Sequence, residues 1–307
     1  MERLYHASAA SSTPHPASLR YPHPTRLSLI NKSFQDRKNA FSYTLKKTHP
    51  HLMYQDVLGT TTLSIWMRTD QPPFTDVRVR RAISHAIDRQ AIIDAVYVRG
   101  EPTPAVPRGL PEWSLRIDEL GAGAQYYQYN PQEARRLLAD AGFPHGFHTQ
   151  LSTSGGVGPD LLDAVQLAQR HLKDVGIEAK LNLQEWGAYM ATTFQGKFEG
   201  LAMSFFATIV VPHGSLYGMY MPDHPFNKAH VNDPTITTIL KEQMRTRDLE
   251  ARKRIIFDIQ RYAAEQQYYV YLLSGMGTGS WQPYVQNYAP NVTWDYGDRA
   301  AALWLDR

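Results

Sequence analysis

The sequence predicts an α/β protein. Short apolar runs suited to strands, FHTQLST (147–153), IEAKLNL (177–183) and YYVYLL (268–273), alternate with amphipathic segments of helical length. The helical segments begin at residues able to cap them, and several stop at glycine. No internal repeat is present.

The first ordered stretch is PPFTDVRVRRAISHAIDRQAIIDAVYVRGEPTPA, residues 72–105. Asp76 can cap a helix whose Val79, Ala82, Ile83, Ala86 and Ile87 fall on one stripe, leaving Arg78, Arg80 and Arg81 largely off it. These arginines are expected to form a solvated face. Asp88 reads as a second cap, opening a helix through Ile92, Ile93, Val96 and Tyr97 that ends at Gly100. Asn130-Pro131, a cap followed by proline in the first turn, opens the next, which ends at Gly142. A strand at 147–153, a helix at 160–175, a strand at 177–183 and a short helix after Trp186 follow. An apolar run at 201–207, helices at 234–244 and 249–264 and the strand at 268–273 complete the pattern. Between them, 205–227 holds aromatics, Gly and Pro with hardly any charge, and is expected to be a long ligand-contact loop or a buried edge of the core.

Residues 1 to about 55 differ in composition. They are rich in Ser, Thr, Pro and His and lack apolar periodicity, so they are expected to be mostly disordered or a non-native leader. Residues 1–51 hold eight Lys and Arg against Glu2 and Asp36, which makes the rest of the 307-residue chain slightly acidic although the total is +3. That balance argues against a nucleic-acid partner.

The absence of cysteine excludes disulfides, thiol catalysis and Cys-based metal sites. The GxSxG, HExxH, GxxxxGK[ST] and GxGxxG signatures are missing, and no cofactor is expected. GGVG (155–158) is a glycine-rich turn without the Lys-Ser/Thr of a phosphate loop. Ser154 and Ser215 are candidate nucleophiles, Ser215 with His213 two positions away, a spacing at which side chains do not face each other in regular structure. His145 with His148, and His213, Asp223, His224 and His230, are candidate metal ligands without diagnostic spacing.

The 72–105 stretch resembles the start of the C-terminal lobe in bacterial extracellular solute-binding proteins of family 5, the peptide, nickel and opine receptors of ABC importers. YNPQEARRLLADAGFPHGF (129–147), HLKDVGIEAKLNLQEWGAYMATTFQGKFEG (171–200) and HVNDPTITTILKEQMRTRDLEARKRIIFDIQRYAAEQQYYVYL (230–272) resemble the same family in the same order. The resemblance covers roughly residues 60–307. It implies the C-terminal lobe of a two-lobed, periplasmic-binding-protein-like (type II) fold, with the N-terminal lobe largely missing. By that likeness 56–267 form the solute-binding lobe, entered near Thr62 to Arg68, and 268–307 are a return segment that would complete the first lobe. The aromatics between Trp281 and Trp304 would then be left uncovered.

The resemblance further implies a non-enzymatic receptor that captures a peptide-like or other small solute for an ABC transporter permease, in a periplasmic, extracellular or lipid-anchored setting. No signal peptide is expected in this sequence, whose best apolar run near the start is Leu27 to Ile30. Oligopeptide receptors place an Asp, shortly after a Trp, against the peptide amino terminus, and the matching positions here are Thr208 and Phe205. Arginines that meet peptide carboxylates match Thr193 and Ala202, so charge pairing on this lobe is not expected. The residues expected nearest the ligand are Trp186, Phe205, Phe206, Thr208, His213 and Tyr217. A nickel or metal-chelate receptor using His213, His224 or His230, and a serine hydrolase using Ser215 and His213, are the alternatives.

Overall fold

The structure, a computed structural model, describes residues 39–207, 212–290 and 302–306. Helix α1 (Asn39–Thr48) leads into β1 (Met53–Leu58) and β2 (Thr61–Met67). Helices α2 (Val77–Ala86) and α3 (Arg89–Ile92), the latter continued by a π turn over Ile93–Tyr97, precede β3 (Gly100–Pro102). Then come α4 (Pro131–Asp140), β4 (Phe147–Ser154), α5 (Pro159–Asp174), β5 (Ile177–Gln184), α6 (Trp186–Ala191) and β6 (Leu201–Ala207). Helices α7 (Pro212–Tyr220), α8 (Pro234–Arg245) and α9 (Leu249–Gln266) lead to the long strand β7 (Tyr269–Trp281). Two short strands, β8 (Val285–Gln286) and β9 (Trp304–Leu305), pair with each other.

Strands β1 to β7 form one mixed sheet in the order β1-β7-β2-β6-β4-β5, with β3 beside β7. The alternation of side chains along β2 feeds two cores. Leu63, Ile65 and Met67 pack on one face with α2, α3 and α5, through residues such as Ile83, Ile92 and Leu172. Trp66 points to the other face, with Leu216, Met219 and Tyr220 of α7, Ile236 of α8 and Ile259 of α9. The result is a three-layer α/β lobe. The caps read from the sequence are made: Asp76 accepts from Arg78 N, Asp88 from Ala91 N and Asn130 from Glu133 N.

Four expectations are corrected. Residues 39–55, expected to lack structure, form α1 and the start of β1; Tyr54 Oη lies 2.9 Å from the carbonyl oxygens of both Leu45 and His49, and β1 pairs with β7 from Met53↔Trp281 onward. Residues 1–38 lie outside the described residues. The arginines are not all a solvated face: Arg78 stays at the surface with Asp76, but Arg80 is buried. The carbonyls at the end of α9 lack helical partners, and Arg80 Nε and Arg81 Nε reach Gln266 O and Glu265 O, each at 2.9 Å. The segment after residue 268 is not separable from the lobe, because Val270, Leu272 and Leu273 of β7 lie in its core and pair with β2. Only from Ser274 does β7 leave β2 to run beside β1 and β3. Finally, the expected loop at 205–227 contains α7, since Leu216, Met219 and Tyr220 find apolar cover in the second core. Of the aromatic tail, Trp304 is 55% exposed and Trp281 packs on Tyr288 at 4.9 Å, while Trp294 and Tyr296 lie outside the described residues.

Candidate functional site

Strand direction selects one edge of the sheet. β4 runs parallel to β5 and to β6, and β6 and β7 both run antiparallel to the β2 between them, so all four strands end on the same side. In open α/β sheets, ligands collect at the carboxyl ends of the strands.

At that edge β4 turns through Gly155–Val157, with Ser154 Oγ accepting from Gly156 N at 3.2 Å. β5 runs through Glu185 into α6, and the Glu185 carboxylate caps that helix by accepting from Gly187 N at 2.7 Å and Ala188 N at 3.1 Å. These amides hold the carboxyl below its ordinary range. The cap sets Trp186 directly over Gly156. A Cβ at residue 156 would lie 2.9 Å from Trp186 Cβ and 3.0 Å from the indole ring, so only glycine lets the ring settle there. Trp186 stacks on Tyr189 with ring centres 5.8 Å apart and remains 45% exposed.

Next to it, β6 sends successive rings to opposite faces. Phe205 meets Tyr97 edge-on at 6.5 Å on the first core, and Phe206 packs against the second. Beneath lie neutral polar groups: Asn182 Nδ2 donates to Ser152 Oγ at 3.2 Å, Trp66 Nε1 to Ser64 Oγ at 2.9 Å and Thr193 Oγ1 to Gln184 Oε1 at 2.7 Å. Burial pushes the Tyr189 hydroxyl up to about 12, and its oxygen is buried without a hydrogen-bond partner among the described residues. Thr62, opposite Phe206 on β2, is buried as well. Apart from the capping Glu185, this set is uncharged. It offers stacking and neutral hydrogen bonds, with no nucleophile set against a base.

The structure thus brings Trp186, Phe205 and Phe206 to one sheet edge. His213 and Tyr217 belong to a separate arrangement on α7. The Gln243 side-chain amide, oriented to satisfy both neighbours, donates to His213 Nδ1 at 2.7 Å and accepts from Arg252 Nη2 at 2.8 Å. Tyr217 lies between His213 and His224, each ring 5.7 Å away. No hydrogen bond or ring contact among the described residues joins either side chain to Trp186. Thr208 lies outside the described residues. Thr193 and Ala202, the positions matching peptide-carboxylate arginines, are fully buried.

The two alternatives do not assemble. His213 turns to Gln243, His224 Nδ1 accepts from Phe226 N, and His230 Nε2 lies 2.9 Å from Gly196 O. Among the described residues no three His, Asp or Glu side chains converge as a metal site. Ser215 and His213 sit two residues apart on α7, about 200° around the helix, so neither can reach the other's reactive atom.

Tyr189, Ser152 and Asn182 also lie at this candidate site, and nothing in the sequence marked them. The Gly155-Gly156 pair was visible, but that it makes room for Trp186 was not.

The family model described as bacterial extracellular solute-binding proteins, family 5 middle, matches residues 25–227. The chain belongs to that family. The match begins well before residue 60, so the family likeness extends into the segment where none was expected. Heme-binding protein A of Haemophilus influenzae is 25% identical over 247 residues, 79% of this chain and 44% of that protein. The periplasmic oligopeptide-binding protein OppA of Escherichia coli is 29% identical over 216 residues, 66% of this chain and 36% of that one. Among solved structures, HbpA2 from Haemophilus parasuis superposes with a TM-score of 0.72 at 21% identity, over 88% of this chain and 53% of that chain. AgaA of Agrobacterium tumefaciens with agropinic acid gives 0.70 at 22% identity, over 92% and 59%. The chain therefore has the type II periplasmic-binding-protein fold, and it spans less than half the length of these curated relatives.

Proposed function

We propose that this chain forms one jaw of the substrate-binding component of an ABC importer, holding a peptide-like small solute at the carboxyl edge of β4, β5 and β6 and passing it to a membrane permease. It acts by binding, in the periplasm or outside the cell, and performs no chemistry on the solute. The observation that carries this reading is Trp186, half-exposed and seated over Gly156 beside an uncharged row of hydroxyls and amides. Such an edge favours a solute held by stacking and neutral hydrogen bonds over one held by ion pairs. The names of two relatives point to peptides, one an oligopeptide-binding and one a glutathione-binding protein. Closure on the solute would bend the chain where Leu58–Thr61 and Ser274–Gly277 run side by side, joined by Gly59 N donating to Gly275 O at 2.8 Å.

Calorimetric titration with glutathione and with an equimolar pool of uncharged tetrapeptides tests this. Binding that falls at least about tenfold in Trp186→Ala supports the reading. Binding of a probe that is unaffected by Trp186→Ala and Phe206→Ala together would refute it.

A further inference from the structure

The edge at which β4, β5 and β6 begin, opposite the solute edge, carries a cavity of about 1030 Å³. Its lining carries three cations, Arg170, Lys173 and Lys180, against the two carboxylates of Glu178 and Glu199, an excess of one positive charge. Glu178 is engaged by His148 Nδ1 at 3.0 Å, and Glu199 accepts from Gln150 Nε2 at 3.4 Å. Arg170 and Lys173 from the last turns of α5 and Lys180 from β5 also line it, and none of these three forms an ion pair among the described residues. Pro72, Pro73 and Phe74 add an apolar wall.

We propose that this cavity is a docking site for an acidic, extended peptide segment of another protein. Its cations are carried by two different elements, so a ligand that neutralises all three needs carboxylates spaced along a chain. β5 is the last strand of the sheet among the described residues, so its outer edge is open to an extended segment. At Ala179 this edge is already covered by the chain itself, Gln169 Nε2 donating to Ala179 O at 2.7 Å, so an added segment would pair with the rest of β5. The apolar wall gives an uncharged residue of the segment a surface to cover. The inference is independent of the solute, because the two edges lie at opposite ends of the strands.

The test is fluorescence anisotropy of a fluorescein-labelled octapeptide, Glu-Asp-Leu-Glu-Asp-Leu-Glu-Asp, with the full chain. Binding should weaken with added salt, fall at least about tenfold in Lys173→Glu/Lys180→Glu and by a smaller factor in Lys173→Gln/Lys180→Gln. The control Arg247→Glu, on an exposed residue away from the cavity, should bind as the parent does. Equal binding by parent and double variant, or an equal loss in Arg247→Glu, would overturn the proposal. Complete displacement by citrate at matched carboxylate concentration would show a small-anion site instead, and tighter binding of a single-stranded oligonucleotide would show a nucleic-acid surface; either result also overturns it.

Discussion

Arg89 donates through Nε to the carbonyl oxygen of Tyr271 at 2.9 Å, fastening the helix pair of residues 72–105 to a central strand of the sheet. The same guanidinium reaches Ser84 O and Tyr127 O, each at 3.1 Å, and Ser84 Oγ at 2.7 Å. It lies 4.8 Å from the centre of the Tyr127 ring. No carboxylate among the described residues forms an ion pair with it, and burial pushes its pKa down to about 10, with the nearby Asp88 charge offsetting part of the fall. The charge is paid for by carbonyls, which it gathers from a helix, a strand and the turn before α4. Arg89→Met removes the donor and leaves those carbonyls buried. Stability should fall by about 3 kcal/mol, read as a lower urea midpoint at unchanged slope. A loss within error of zero would mean that the helix pair is held by its apolar stripe alone.

Asp56 provides a pH test for the junction of β1 with β7. Arg99 beside it, with smaller contributions from Thr278 and Lys46, holds its carboxyl at about 2, against 3.8 in the unfolded chain. Because the folded value is the lower one, the stabilisation is complete above about pH 4 and is lost as pH falls through about 2. Asp56→Asn should flatten the urea midpoint across that window while leaving a small loss at neutral pH, since the group is part-exposed and solvent screens the pair. Parallel midpoint curves for parent and variant would show that other carboxylates govern the acid limb.

Lys228 has the opposite sign. Its ammonium is buried, 4.8 Å from the ring centres of both Phe194 and Phe226, with Pro225 O as acceptor at 2.9 Å. Burial pushes its pKa down to about 8, against 10.5 unfolded. Between those values the unfolded chain binds more protons, so stability should rise as pH goes from about 8 to 10.5. Lys228→Met should abolish that rise. A chain whose midpoint still climbs equally in the variant would assign the effect to another group.

Much of this fold was legible in the sequence because its signals are local. Asp76, Asp88 and Asn130 cap the helices they were expected to cap, and the strands at 147–154, 177–184 and 201–207 follow from apolar runs. Arg80 was misread because helical periodicity records which residues share a face, and not that the end of α9 would bring acceptors to a polar one. α7 was hidden because Gly214 and Gly218 dilute its pattern, and its helical state rests on tertiary cover. For the candidate site, aromatic character singled out Trp186, Phe205 and Phe206, and the fold brings these three to one sheet edge. His213 was grouped with them through nearness in sequence, whereas α7 turns it towards Gln243 and Arg252.

Gly156→Ala tests how Trp186 is seated. The new methyl would stand 2.9 Å from Trp186 Cβ, and it must displace the ring or the turn. The emission that disappears in Trp186→Phe should shift in Gly156→Ala, and affinity for any peptide probe the parent binds should fall by at least about threefold, close to 0.7 kcal/mol. Unchanged emission would place the indole elsewhere.

The most direct test of the central claim is hydrogen exchange of the full chain with and without an equimolar pool of uncharged tetrapeptides. The account predicts slowed exchange at the carboxyl edge, in Thr61–Leu63, Gly155–Val157, Trp186–Ala191 and Phe205–Ala207, with no change at 148–150 or 178–180. Protection confined to 148–150 and 178–180, or none at either edge, would contradict it.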